Sequence, residues 1–228
     1  VNIMSENKEK TTVSSKLNGF LEKNRVWLFT VLGVLIVAVV VSIIAVSVSA
    51  KSANKILTAV DEITYNFTKD SSGLSDAELE AKRATALSAV EPYLTKGGVG
   101  GVRANMLAAD LYFQGKNYSS ALECYKAAVS KGKKSYTAPL SYFNMAVCQE
   151  ELGNYAEAVE NYKAAADFEG FVLRSHALFS TGRVYEAMND SAKAAEAYNS
   201  LIESSPNDSW AQIAKTRVMD MKIKGNIQ

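Results

Sequence analysis

Residues 150–166 read EELGNYAEAVENYKAAA. A Gly-Asn-Tyr cluster interrupts a helical stretch, and beyond it Ala158, Tyr162 and Ala165 fall at i, i+4 and i+7, one face of a helix. The segment before it, SYFNMAVCQE, sets Tyr142, Met145, Ala146 and Gln149 at i, i+3, i+4 and i+7. Gly153 with Asn154 supplies the residue tolerant of positive φ that a tight turn between two helices requires. The stretch therefore reads as two antiparallel helices, with small residues where they cross and a tyrosine filling the space beyond.

The same frame recurs on both sides. Residues 176–206, HALFSTGRVYEAMNDSAKAAEAYNSLIESSP, place Leu178, Thr181, Gly182 and Tyr185 on the first helix. Ala194, Tyr198 and Leu201 fall on the second, and Pro206 closes the unit. Upstream, NMLAADLYFQGKNYSSALECYKAAV gives Asn105, Ala108, Ala109 and Tyr112, then Ala121, Tyr125 and Ala128. The marker alanines Ala121, Ala158 and Ala194 stand 37 and 36 residues apart. Three units in register resemble the tetratricopeptide repeat (TPR) family, whose period is about 34 residues. Each junction then carries a short insertion. Asn105, Gln149 and Thr181 depart from the family pattern, where an apolar or aromatic residue is usual. The resemblance implies an all-α helical-hairpin solenoid, with repeats at about 102–135, 139–172 and 175–208. Close crossings are expected at Ala109 with Ala121, Ala146 with Ala158, and Gly182 with Ala194.

The flanks extend the stack. Ile56, Val60, Ile63 and Phe67 share one helical face. Ser75 and Glu78 have the spacing of a capping box. The helix after it brings Ala86, Val90 and Tyr93, and Ala86 lies 35 residues before Ala121. Residues 51–101 thus read as a degenerate first helix pair, ending in the glycine run KGGVGG at 96–101 as a flexible joint. Residues 209–228 read as a capping helix and tail, with Trp210, Ile213, Ala214 and Val218 on the buried face.

Residues 26–50, VWLFTVLGVLIVAVVVSIIAVSVSA, hold no charge over 25 residues. As a helix they are about 37 Å long, more than the ~20 residues a bilayer core needs. The run ends in VSA before Lys51, like a cleavage site, but it exceeds the 7–15 residues typical of a cleaved signal's apolar region. An uncleaved signal-anchor is the favoured reading. Lys16, Lys23 and Arg25 precede it, and Asp61 and Glu62 follow Lys51 and Lys55, a small bias to an inside N-terminus. The plan is a short polar tail over 1–25, a transmembrane helix over 26–50 and an exported C-terminal domain.

The formal net charge of +1 gives no footprint for nucleic acid. One histidine and two cysteines outside any CxxC exclude the usual zinc sets. Cys124 and Cys148 read as small buried hydrophobes, with a disulfide left open if the domain is exported. The glycine run lacks the GK[ST] ending of a phosphate loop. His176, at the start of a repeat helix, reads as a partly exposed surface residue. KGKKSY at 131–136 is the densest basic patch; a solvated turn is the favoured reading, with contact to an acidic partner or to lipid headgroups as the alternatives. No nucleophile, acid–base pair or metal set emerges, so neither a catalytic residue nor a cofactor is expected.

What remains is a binding surface. Repeat solenoids present a concave face lined by the first helix of each pair, where the candidates are Arg103, Asn105, Asn144 and Arg183. In the family such a groove holds a peptide or a helix. Tail, anchor and small repeat domain together resemble the bacterial ancillary SecYEG translocon subunit (YfgM-like) family. That resemblance implies an inner-membrane protein with a periplasmic domain, linking SecYEG to periplasmic chaperones. A repeat adaptor of another envelope assembly and a small-ligand-binding repeat module are the alternatives.

Overall fold

The computed structural model describes the backbone of residues 2–227 and the side chains of 15–227. Among the described residues the chain is helical throughout, with no strand. Two units are distinct, residues 1–52 and 53–228.

The first unit belongs to the long helix α1, Asn2–Thr68. Residues 2–25 of the expected polar tail are part of this helix, while residue 1 and the side chains at 1–14 lie outside the described residues. From Val26 to Ala50 every side chain except that of Leu28 is exposed.

The second unit starts with the end of α1 and continues as α2 (Asp76–Leu94), α3 (Gly98–Gln114), α4 (Tyr118–Lys131), α5 (Ala138–Glu151) and α6 (Tyr155–Ala166). It closes with α7 (Arg174–Ala187), α8 (Ser191–Ser204) and α9 (Ser209–Ile223). From α2 to α9 neighbours in sequence are neighbours in space, so these helices stack in chain order. The pairs α3–α4, α5–α6 and α7–α8 are the three repeats.

The pair before them forms as its sequence dictates. Ile56, Val60 and Phe67 of α1 are buried, and pack with Val90, Ala104 and Ala108 or with Ala86 and Leu111. Ser75 caps α2, its hydroxyl accepting from the Glu78 backbone N–H while Glu78 accepts from the Ser75 N–H.

Within the repeats the small residues lie at the crossings. Ala109 and Ala121 share one core cluster, and Ala146 and Ala158 another, all four without solvent exposure. Gly182 is more demanding. A Cβ there would stand 2.5 Å from the Tyr198 ring, so only glycine lets the two helices close. Gly153 (φ +77°), Lys116 (φ +57°) and Asn189 (φ +59°) turn the chain between the helices of the three repeats.

Two expectations are corrected. The glycine run is not a flexible joint, because Gly98 opens α3 and Gly100 and Gly101 are buried within it. A Cβ on Gly100 would meet Ile56 at 2.8 Å, and one on Gly101 would meet the Lys96 carbonyl oxygen at 1.8 Å. These glycines serve close approach. In α9, Ile213 is exposed, and the buried positions are Ala211, Ala214 and Met221, with Trp210 and Val218 partly covered.

Candidate protein-binding face

The first helices α3, α5, α7 and α9 carry a polar device that recurs from repeat to repeat. Tyr125, Tyr162 and Tyr198 of the second helices are buried. Each phenol donates to a carboxylate on its own repeat's first helix: Tyr125 to Asp110, Tyr162 to Glu150 and Tyr198 to Glu186, all at 2.5 Å. A group from the next first helix completes each link. The Asn144 amide donates to the Tyr125 hydroxyl at 3.1 Å. The Arg183 guanidinium donates to Glu150 at 2.6 Å, and Arg217 Nε to Glu186 at 3.0 Å.

The positions shift coherently. Glu150 and Glu186 stand four residues beyond the small residues Ala146 and Gly182, whereas Asp110 stands one beyond Ala109. Its partner Asn144 also lies three residues before the place that Arg183 takes in the next repeat. Carboxylate and partner move back together by about one helical turn, so the link to the tyrosine survives.

Burial raises the phenol pKa of all three tyrosines, and the adjacent carboxylates raise it further. Burial also raises the Asp110 carboxyl, against the bond from Tyr125 and the charge of Arg103. Each phenol therefore stays a proton donor, and each link ties three helices.

A ring ladder crosses the same first helices. His176 of α7 lies flat on Trp210 of α9, centroids 4.0 Å apart and planes 4° from parallel. Phe143 of α5 stands 5.0 Å from His176, and Phe179 stands 5.1 Å from Trp210. His176 is half-buried, its ring lying between those of Phe143 and Trp210.

The four sequence candidates are not equivalent. Arg183 is exposed and Arg103 half-buried, and both cations are held by carboxylates, Arg103 by Asp61 at 3.3 Å. Asn144 is half-buried in the first link. Asn105 is no groove residue, because its buried amide donates to the carbonyls of Leu94 and Gly101 at 2.9 and 2.7 Å. It joins the end of α2 to the start of α3. Gln149 accepts from the Asn154 amide and Thr181 donates back to Ala177, so these departures are satisfied locally. The residues sequence reasoning missed are Arg217 and Glu186. Glu186 lies 36 residues beyond Glu150, the step of the marker alanines, and follows from the repeat register; Arg217 lies 31 residues beyond Glu186 where Arg183 lies 33 beyond Glu150, so the register alone does not reach it.

Residues 105–171 and 145–209 match the family model described as Tetratricopeptide repeat. The chain carries tetratricopeptide repeats. A TPR repeat-containing protein of Treponema pallidum (strain Nichols) is 32% identical over 156 residues, covering 67% of this chain and 65% of the relative. This chain thus spans just under two thirds of that relative's length. Among solved structures, a Podosopora anserina putative kinesin light chain with nearly identical TPR-like repeats superposes with a TM-score of 0.55. It is 11% identical, over 76% of this chain and 88% of that one. The apo form of RapI gives 0.52 at 17% identity, over 77% of this chain and 67% of its own. Both likenesses concern the fold alone.

Proposed function

We propose that this TPR chain is a membrane-anchored scaffold that holds a protein partner, a peptide or a helix, against the face of α3, α5, α7 and α9. The observation that carries the anchor is the run 26–50, uncharged, helical and almost wholly exposed. Water does not tolerate so long an apolar surface, and a bilayer core matches its length. Its hydroxyls suit lipid, since Thr30 donates to the Val26 carbonyl at 2.8 Å and Ser42 to that of Ala38 at 2.7 Å. Three core-packed repeats support the scaffold role, with Arg183 and Arg217 held at fixed positions for acidic or carbonyl groups of a partner.

The finer reading places the repeats on the exported side of a bacterial inner membrane, linking SecYEG to periplasmic chaperones. It rests on the likeness of layout and on the charge bias around the apolar run. The test is in-cell photocrosslinking, with the probe at positions within 28–46 and separately beside Arg183 and Arg217. Capture of the Sec channel by the helix and of exported chaperones by the repeats is the expected result. Capture of another envelope complex by the repeats, with only lipid at the helix, would keep the scaffold and sink the Sec assignment. If the repeats capture no protein, the scaffold reading fails.

A further inference from the structure

One edge of the repeats carries a surface that the groove does not use. Val99, Tyr136 and Val172 are 54%, 81% and 91% exposed. They stand 37 and 36 residues apart, the same steps as the marker alanines, so they occupy one position in three successive units. Each lies where the chain enters a first helix. The turns between the two helices of each repeat lie at the opposite edge, so the three apolar side chains form a row along a single edge of the stack.

Between Tyr136 and Val172 the edge opens into a cleft of about 610 Å³, lined largely by carbon, with Pro139, Leu140, Phe168 and Phe171 among its walls. Lys133 and Lys134 closely precede Tyr136, are exposed, and have no ion-pair partner among the described residues. Lys96 lies in the turn before α3, Lys131 ends α4, and Arg174 opens α7 two residues beyond Val172. Against them stand Asp167 and Glu169, leaving the edge net positive.

We infer that this edge docks on an anionic lipid surface, with Val99, Tyr136 and Val172 entering the interfacial layer and the 131–134 lysines meeting headgroup charge. Tyrosine favours the level of the headgroups, and lysines near an anionic surface are attracted to it. The apolar groups stand at the entries to three separate first helices, spread over three repeats. A flat target meets all three together, whereas a peptide seated in the cleft leaves Val99 in water. The surface is independent of the helix at 26–50, and of any partner held on the first-helix face.

The test uses the full chain with an environment-sensitive fluorophore on Val172→Cys, and a control label on Ser119→Cys, exposed at the start of α4 on the opposite edge. Burial raises the Cys124 thiol to about 11 and the Cys148 thiol to about 12, so labelling at neutral pH selects the introduced cysteine. Phosphatidylglycerol-containing nanodiscs are compared with pure phosphatidylcholine ones. The expected result is blue-shifted emission at 172, quenched by brominated lipid, only with the anionic discs and not at 119. High salt and the K133E/K134E variant should abolish it. A chain that enters the discs yet keeps position 172 in water overturns the lipid edge and leaves the anchor standing. A chain that does not associate at all overturns both. Equal shifts in the two lipids, or a shift caused only by a short peptide of alternating Glu-Glu and Leu-Leu pairs, also overturn it.

Discussion

The imidazole of His176 lies parallel to the Trp210 indole at 4.0 Å, joining the last repeat to α9. Desolvation lowers the His176 pKa, the Arg183 charge lowers it further, and Glu150 opposes them in part. The folded state thus favours neutral imidazole more than the unfolded chain does, whose histidine titrates near ~6.5. The unfolded state takes up the proton first as pH falls. Stability from this site is therefore present above ~6.5 and is lost as pH drops through that value toward the lower folded pKa. Melting temperature in detergent, followed by circular dichroism between about pH 7.5 and 5, should fall more steeply for the native chain than for His176→Phe, which keeps a ring in the stack. Parallel slopes for the two would remove His176 as the cause.

Gly182 tests the close crossing. Its substitution by Ala drives a Cβ into a fully buried tyrosine ring that has no room to swing away. Overpacking of this kind costs about 1–3 kcal/mol. Gly182→Ala should lower the urea midpoint with an unchanged m-value, and loss of cooperativity instead would mean that the repeat has come apart. The comparison is Gly170→Ala, where nothing stands within 4 Å and φ is +73°. There the cost is backbone strain alone, about 1 kcal/mol.

These contacts explain which parts of the structure could be read in advance. The repeat register was legible because Ala109, Ala146 and Gly182 recur at fixed distance from Tyr125, Tyr162 and Tyr198, and only helices crossing at close range need that pattern. The glycine run misled because composition does not distinguish a glycine that bends from one that lets a neighbour approach. Gly100 is decided by Ile56, 44 residues earlier. Asn105 misled for a similar reason. Its place on α3 is clear, but the carbonyl that claims its amide belongs to Leu94 on another helix. Arg217 escaped notice because α9 was read for its apolar stripe, although its partner Glu186 holds the same repeat position as Glu150.

The cysteines give a chemical prediction. Both are free thiols, Cys148 buried and Cys124 half-buried. Burial holds their pKa at about 12 and about 11, and Glu151 and Glu123 respectively add to the rise. Thiolate is scarce at neutral pH in both, so a thiol-disulfide reagent should react far more slowly with the folded chain than with the chain in urea. Free-thiol-like rates in the folded state would show that the α4–α5 contact opens readily.

The tyrosine links yield a prediction about order of cost. Tyr162→Phe removes one donor and leaves Glu150 its bond from Arg183, so the loss should be about 1 kcal/mol. Glu150→Ala strands the buried Tyr162 hydroxyl and frees Arg183 from its anion. Arg183 is about half exposed and gains little from the pair itself, so the stranded phenol dominates, at about 1–3 kcal/mol. The double variant Tyr162→Phe/Glu150→Ala no longer strands the phenol. It should therefore cost less than the two single changes together, with the shortfall read from urea unfolding as the coupling energy. Tyr198 and Glu186, one repeat on, should show the same shortfall, since Arg217 stands to Glu186 as Arg183 does to Glu150. Strict additivity at both sites would mean that the links merely accompany the packing and do not tie the repeats together.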